Sequence, residues 1–325
     1  MKNPLAILAA LLAALAYAAA PAQAANAYPS APISIVVPFA PGGATDITAR
    51  LLAEQMAKQT GYDFIVENKG GAGGSIAAGY VARAKPDGYT ILFGTTNTNG
   101  INTYIYPQTS YDAVKSFAPV GLVAENIVVL LANANFPANT FGEVISVLKQ
   151  HPGRYSYASP GQGTSHNLAM ELLKKSLGLN VLHIPYKGAG PAMIDLVAGT
   201  VPLMMGGIAP AKPFIASGKV KVLAVANDRT FNNVPASVTY FNDAAPGTAI
   251  SSWMGLLAPA GTPTDRIANL SAALKNALAE PALQRALEEQ GMQANYMAPE
   301  EFSRHIADGM PFWKAAVEAS GGANK

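Results

Sequence analysis

"ISIVVPFAPGGATDITARLLAEQM", residues 33 to 56, decides how the chain is read. It begins as a β-branched apolar run. It ends as a helix, with Ile47, Leu51, Leu52 and Met56 on one face and Gly61 placed as a C-cap glycine. Between them lies PFAPGGATD (38–46), a Pro- and Gly-rich turn without a cysteine or histidine. A strand that turns through glycines straight into a helix opens a βαβ unit. The next segments continue it: DFIVEN, the turn KGGAGG, a helix from about Ser75 to Ala84, the breaker KPDG and the strand YTILFG. The reading to this point is βαβαβ.

A second series starts near Asn126. IVVLLAN is followed by a helix opened by Thr140, then RYSYAS, the turn PGQGTS, the helix HNLAMELLKKSLG, VLHIP, the turn YKGAGP, a helix, VPLMM, a helix and KVKVLAVAN. Strands alternating with helices predict parallel-rich sheets with helices on both faces, an α/β fold. After a polar, Pro-rich interval (228–249) come SSWMGLLAPAGTP and then only helices, expected to pack back on the first lobe. The chain is therefore read as two lobes, 25–125 plus 251–325 and 126–250. It crosses between them near Val120 to Asn126 and near Ser251 to Pro259. Such a two-strand hinge sets a cleft between the carboxyl ends of two sheets, where α/β folds bind ligands.

Composition narrows the functional classes. The 325 residues exceed one average domain, and half of them are hydrophobic, which favours two globular cores over disorder. A formal charge of +2 with scattered Lys and Arg leaves no footprint for nucleic acid. The absence of cysteine removes disulfides, thiolate catalysis and Cys-based zinc sites together. The N-terminal MKNPLAILAALLAALAYAAAPAQA has a basic start, an apolar stretch and the small-residue pattern Ala22-Gln23-Ala24. It reads as a secretory leader, 1–24, cut after Ala24, so an exported and soluble mature chain is expected.

The candidate site comes from two turns of one design. PFAPGGATD and SPGQGTSH (159–166) each leave a strand, pass through glycines and open a helix whose first amides lack helical acceptors. Such an end favours anions, because free N–H groups and the positive end of the helix dipole converge there. Facing each other from opposite lobes, the two would hold a carboxylate. Candidate ligand-binding residues are Phe39, Gly42, Gly43, Thr45 and Asp46 from the first turn, and Ser159, Gly161, Gly163, Thr164, Ser165 and His166 from the second. Asp46 would repel an anion and is read mainly as a helix cap or loop brace. Tyr186 and Lys187 stand in a third turn, Trp253 lies near the return crossing, and Asn97 and Gly206 border the expected cleft.

Enzyme signatures are incomplete. GGSIA (73–77) lacks the last glycine of a nucleophile elbow, and GQGTSH supplies neither a P-loop lysine nor a third glycine. His151, His166, His183 and His305 show no metal-ligand spacing. Catalytic residues, metal and cofactor are therefore all read as none. An exported α/β hydrolase using Ser75 or Ser165 is the less favoured alternative.

PFAPGGATD, NKGGAGGSIAA, KPDGYTIL, SPGQGTSHN, PYKGAGPA and GLLAPAGTP, in this order, resemble the Bug-type periplasmic solute-binding proteins of tripartite tricarboxylate transporters. The resemblance covers essentially the whole mature chain. It implies a two-lobed periplasmic binding fold, type II-like, that closes as a monomer on a small organic acid. It implies delivery to one large and one small integral membrane subunit, or, alternatively, ligand-dependent signalling to a membrane receptor. It also implies that the turns 38–46 and 159–166 hold a ligand carboxylate, partly through water. Two departures bear on specificity: MMGGI (204–208) where many relatives read MMFDN, and Asn99 in TTNTNGIN (95–102) where many carry a histidine. Loss of the acid disfavours a ligand with an ammonium group and makes a di- or tricarboxylate, including an aromatic one such as terephthalate, the expected guest.

Overall fold

The computed structural model describes residues 28–106, 108–228, 231, 234 and 238–322. The expected leader lies outside them. Strand β1 (Ile33–Val37) leads through the first glycine turn to α1 (Ala44–Thr60), followed by β2 (Phe64–Asn68), α2 (Ser75–Ala82) and β3 (Thr90–Thr95). β1 runs parallel between its neighbours, with Ile35 opposite Val66 on one side and Ile91 on the other. Ile33, Ile35, Val36 and Val37 are fully buried, because helices cover both faces of the sheet and leave no solvent side. Helix α1 ends at Gly61, whose φ of 71° suits glycine and whose N–H donates to Ala57 O. The buried stripe of α1 runs through Thr45, Ala49, Leu52 and Met56, while Ile47 and Leu51 are only half-buried. That rotation carries Thr45 inward at the start of the helix.

The chain leaves the first sheet along β4 (Phe117–Asn126) and enters the second at β5 (Val128–Asn133). There follow α3 (Phe141–Gln150), β6 (Ser156–Ser159), α4 (Ser165–Leu177), β7 (Leu182–Pro185), α5 (Ala189–Ala198), β8 (Leu203–Gly207), α6 (Ile208–Ala216), β9 (Val220–Val225) and the short β10 (Thr239–Tyr240). Thr140 opens α3 with a reciprocal capping box to Glu143, as its sequence position predicts. The second sheet has the order β10-β9-β5-β8-β6-β7, with β5 antiparallel to both of its neighbours and the other pairs parallel. The chain then returns to the first sheet as β11 (Trp253–Pro259), α7 (Thr264–Ala279), α8 (Pro281–Glu289), β12 (Met292–Met297) and α9 (Pro299–Ala319). The first sheet has the order β12-β4-β11-β3-β1-β2.

Two features differ from the sequence expectation. The C-terminal block is not all helix, since β12 pairs antiparallel with β4. Its sequence, MQANYM, buries only Met292 fully, so it lacks the β-branched apolar signature of the other strands. The last helix also does not stay with the first lobe. Phe302 and Ile306 pack beside β11, whereas Trp313, Ala316 and Val317 enter the core that contains Leu130 of the second sheet and Leu168 of α4.

Lobe connections are tied by main-chain bonds. The amide of Ala226 donates to Val128 O and that of Ile250 donates to Ala226 O. Asn227 is buried between the crossings; its Oδ1 accepts from Val128 N at 2.8 Å and its Nδ2 donates to Asn126 O at 2.9 Å. Each bond satisfies a backbone group that water would otherwise have to reach. Asn227→Ala should therefore destabilise the fold by about 2 kcal/mol or more, the scale of leaving buried polar groups unpaired. Urea unfolding checks this, and an unchanged midpoint would show that the side chain does not hold the crossing together.

Candidate ligand-binding site

Antiparallel β5 starts opposite Gly207, at the carboxyl end of β8, and β11 starts opposite Glu125, at the carboxyl end of β4. The carboxyl edges of both sheets therefore border the gap between the lobes. A cavity of about 200 Å³ lies there. From the first sheet's side it is lined by Phe39, Thr45, Thr96 and Asn97. Thr164, Ser165 and His166 close it from the second, with Asn126 and Ser252 at the crossings. Met254, Met292 and Trp253 complete an apolar wall. No Lys, Arg, Asp or Glu is among these lining residues.

The first turn is shaped by Gly42, at φ 82°, a left-handed conformation that a Cβ disfavours. Gly43 is the N-cap of α1, and no side chain caps the helix. The amides of Ala44 and Thr45 therefore have neither a helical acceptor nor a cap, and both residues line the cavity. Asp46 points away from it. Its carboxylate accepts from Gly42 N at 2.9 Å, from Arg50 Nε at 3.0 Å and from Asn68 Nδ2 at 2.8 Å. Asn68 also donates to Phe39 O. Burial pushes the Asp46 carboxyl up, but the bonds from Arg50, Gly42 and Asn68 outweigh it and hold the group at about 2. Asp46 is thus a brace that fixes the turn, and its charge is spent on Arg50 rather than aimed at the cavity.

In the second turn Thr164 is the N-cap of α4, and its hydroxyl accepts from Asn167 N at 3.3 Å. That leaves the amides of Ser165 and His166 as the helix's open donors. The His166 imidazole is half-buried at the cavity wall, and burial lowers its pKa to about 4, so the ring is neutral at pH 7 and has one N–H to give. Among the described residues, none hydrogen-bonds the side chains of Thr45, Asn126 or His166. Three unengaged polar groups on the wall of one cavity leave donors available to a guest. The lobes meet beside them, where Asn97 Nδ2 donates to Gly163 O at 3.4 Å and the hydroxyls of Ser165 and Ser252 lie 3.3 Å apart.

The structure thus brings Phe39, Thr45, Asn97, Thr164, Ser165 and His166 to one cavity, with Trp253. Others of the expected set are held elsewhere. Ser159 is fully buried against His183, Tyr186 donates to Asp195 at 2.6 Å, and Gly206 faces Met204 and Leu131. Gly42, Gly43, Gly161 and Gly163 shape the turns without lining the space. Asn99 is also turned away, donating to Ala113 O and accepting from Thr98 Oγ1. Of the two serines weighed as nucleophiles, Ser75 accepts from Asn102 and Ser165 faces Ser252. Sequence reasoning missed Asn126, Ser252, Met254 and Met292. Ser252 and Met254 are the chain neighbours of Trp253 and fall on the opposite strand face, so the two-residue period counted from Trp253 passes over them; Met292 was missed because β12 itself went unread.

A family model described as "Tripartite tricarboxylate transporter family receptor" matches residues 48–321. The chain belongs to this family. Curated relatives include a UPF0065 protein of Pseudomonas sp. (strain P51), 35% identical over 90% of this chain and 88% of its own, and BugT of Bordetella pertussis, 31% identical over 93% of each. Among solved structures, the periplasmic binding protein BugD is 35% identical, covering 92% of this chain and all of its own, with a TM-score of 0.76. An R. palustris protein solved with adipate is 30% identical, covering 91% and 99%, with a TM-score of 0.80. MatC of Rhodopseudomonas palustris, solved with bound malate, is 34% identical, covering 89% and 99%, with a TM-score of 0.75. The receptor family thus shares the two-lobed fold, and it is a family of solute-binding proteins rather than of enzymes.

Acid should weaken this architecture in two stages. An unfolded histidine binds a proton near pH 6.5, whereas folded His166 resists until about 4, so stability falls as pH drops across that window. The depressed Asp46 carboxylate adds stability above about pH 4 that is lost as pH falls toward 2. Melting temperatures measured from pH 8 to 4 should decline below about 6.5, and His166→Gln should flatten the upper part of that decline. An identical profile in the variant would place the titration elsewhere.

Proposed function

We propose that this receptor-family chain captures a small organic di- or tricarboxylate in the interlobe cavity and, by closing on it, presents it to the large and small membrane subunits of a tripartite transporter. It acts in the periplasm after removal of residues 1–24, as a monomer. The observation that carries this reading is the convergence of two helix starts with open first amides, Ala44–Thr45 and Ser165–His166, on one cavity whose other walls are neutral polar groups and the apolar side chains of Phe39, Trp253, Met254 and Met292. Helix-start amides stabilise a carboxylate without any formal positive charge. Thr45, Asn126 and the neutral His166 add donors of the same kind.

The relatives solved with adipate and malate support a dicarboxylate as the class. The wall of Phe39, Trp253, Met254 and Met292 suits the hydrocarbon part of such a guest, aliphatic or aromatic. A micromolar dissociation constant needs about 8 kcal/mol net, within the range of a few charge-assisted bonds in a partly dry site. Closure follows if the acid touches both helix starts only when the lobes are apposed, because a ligand shifts an equilibrium only by its differential affinity for the two states.

A melting screen of the refolded, ligand-stripped protein against aliphatic, hydroxylated and aromatic dicarboxylates tests this. At a hundredfold excess over Kd a true ligand adds about 2.7 kcal/mol of stability, and the matching dimethyl esters add none. His166→Phe and Thr45→Val should each weaken the best acid by about 10- to 100-fold, the scale of one hydrogen bond to a charged group. A broad panel without any shift, or acids and esters acting alike, would contradict the reading.

A further inference from the structure

Behind the second anion-binding turn, and outside the cavity, a partly buried polar chain crosses from β6 through β7 to α4. Ser159 Oγ lies 2.7 Å from His183 Nε2. His183 Nδ1 lies 3.3 Å from Asn167 Nδ2, which also donates to Tyr157 Oη at 2.8 Å. Tyr157 Oη donates to Glu171 at 2.6 Å, and Glu171 is paired with Lys174 at 2.8 Å. The imidazole also stacks on the Tyr157 ring, with centroids 4.8 Å apart. None of these groups lines the cleft, yet the chain touches the turn at both ends. Asn167 Oδ1 accepts from Gly163 N at 2.9 Å, and Ser159 Oγ accepts from Gly161 N at 3.2 Å while donating to Gly161 O at 3.0 Å.

Donor and acceptor counting leaves one consistent assignment. Gly163 N–H must meet an oxygen, which sets the Asn167 amide with its nitrogen toward Tyr157 and His183. An NH₂ group facing Nδ1 requires that atom to be the unprotonated nitrogen, so the proton sits on Nε2 and is donated to Ser159 Oγ. Every group is then satisfied. A second proton, on Nδ1, would point at the Asn167 NH₂ and break the chain at its centre.

We infer that His183, in its neutral Nε2–H form, is a positioning residue that holds turn 159–164 in its anion-binding shape, so that the ligand's second contact depends on the protonation state of a side chain the ligand never touches. This rests on the proposed carboxylate function for its consequence, but not for its geometry. The titratable and charged groups facing the ring are Tyr157, Glu171 and Lys174. Burial, reinforced by Lys174 and opposed by Glu171, lowers the His183 pKa, which keeps the neutral form in place at neutral pH.

The test uses ¹⁵N-histidine spectra and amide hydrogen exchange on the full chain, with His183→Phe and His183→Gln as variants. His183→Phe keeps a ring against Tyr157 and removes both hydrogen bonds; His183→Gln restores an N–H donor near the Nε2 position. The expected results are an Nε2–H tautomer at pH 7.5 and exchange at Gly161 and Gly163 at least tenfold faster in His183→Phe. The glutamine variant should return exchange to within about threefold of wild type and lack the extra rise that wild type shows on acidification, after correction for intrinsic rates. An Nδ1–H tautomer, or wild-type exchange in His183→Phe, overturns the inference. Calorimetry with adipate and malate at pH 7.5 reads the consequence: at least tenfold weaker binding in His183→Phe, rescued in His183→Gln. Should the wild type bind neither acid, the proposed function loses support on those probes, while tautomer and exchange still decide the role of His183.

Discussion

The molecule is organised around backbone amides that have no acceptor of their own. A helix cannot satisfy its first-turn N–H groups internally; at α3 the side chains of Thr140 and Glu143 do so. At the start of α1 no side chain takes that role, and at α4 Thr164 takes only part of it. Both starts face the same interlobe space. Two separate sheets, a tied hinge and a pair of glycine turns are what it takes to bring two such ends, from remote parts of the chain, to one small cavity.

Holding a negative guest without a cationic side chain has a physical logic. Dipoles fixed in place by packing need little rearrangement when charge arrives, whereas a flexible lysine must be ordered first. The charges that do lie nearby are spent on rigidity. Asp46 ties Gly42, Arg50 and Asn68 together behind the first turn, and the chain from Ser159 to Lys174 does the same behind the second. Each half of the site therefore has a neutral surface and a polar brace behind it. Helix α9, rooted beside β11 and ending in the core of the second lobe, adds a contact that any opening motion must bend or release.

Much of this could be read from local pattern. The βα alternation, the C-cap at Gly61 and the capping box at Thr140 follow from residue types at fixed spacing, and both anion-type turns follow from glycine between a strand and a helix. What could not be read depends on partners distant in sequence. MQANYM becomes a strand only because β4 offers an edge, and Met292 reaches the cavity only through that pairing. Ser159 and Tyr186 looked like ligand groups because they stand in the right turns, yet His183 and Asp195 claim their hydroxyls. Which way a polar side chain turns is decided by which unsatisfied neighbour the fold brings to it, and that information is tertiary.

The central claim is that amides from both lobes grip the same guest. A crystal structure of the refolded protein soaked with the dicarboxylate that raises its melting temperature most tests this directly. The account predicts carboxylate oxygens within about 3 Å, directly or through one ordered water, of the Ala44–Thr45 amides and of the Ser165–His166 amides at once. An acid lodged outside this cavity, or one held by a single lobe with the other helix start still facing solvent, would contradict it.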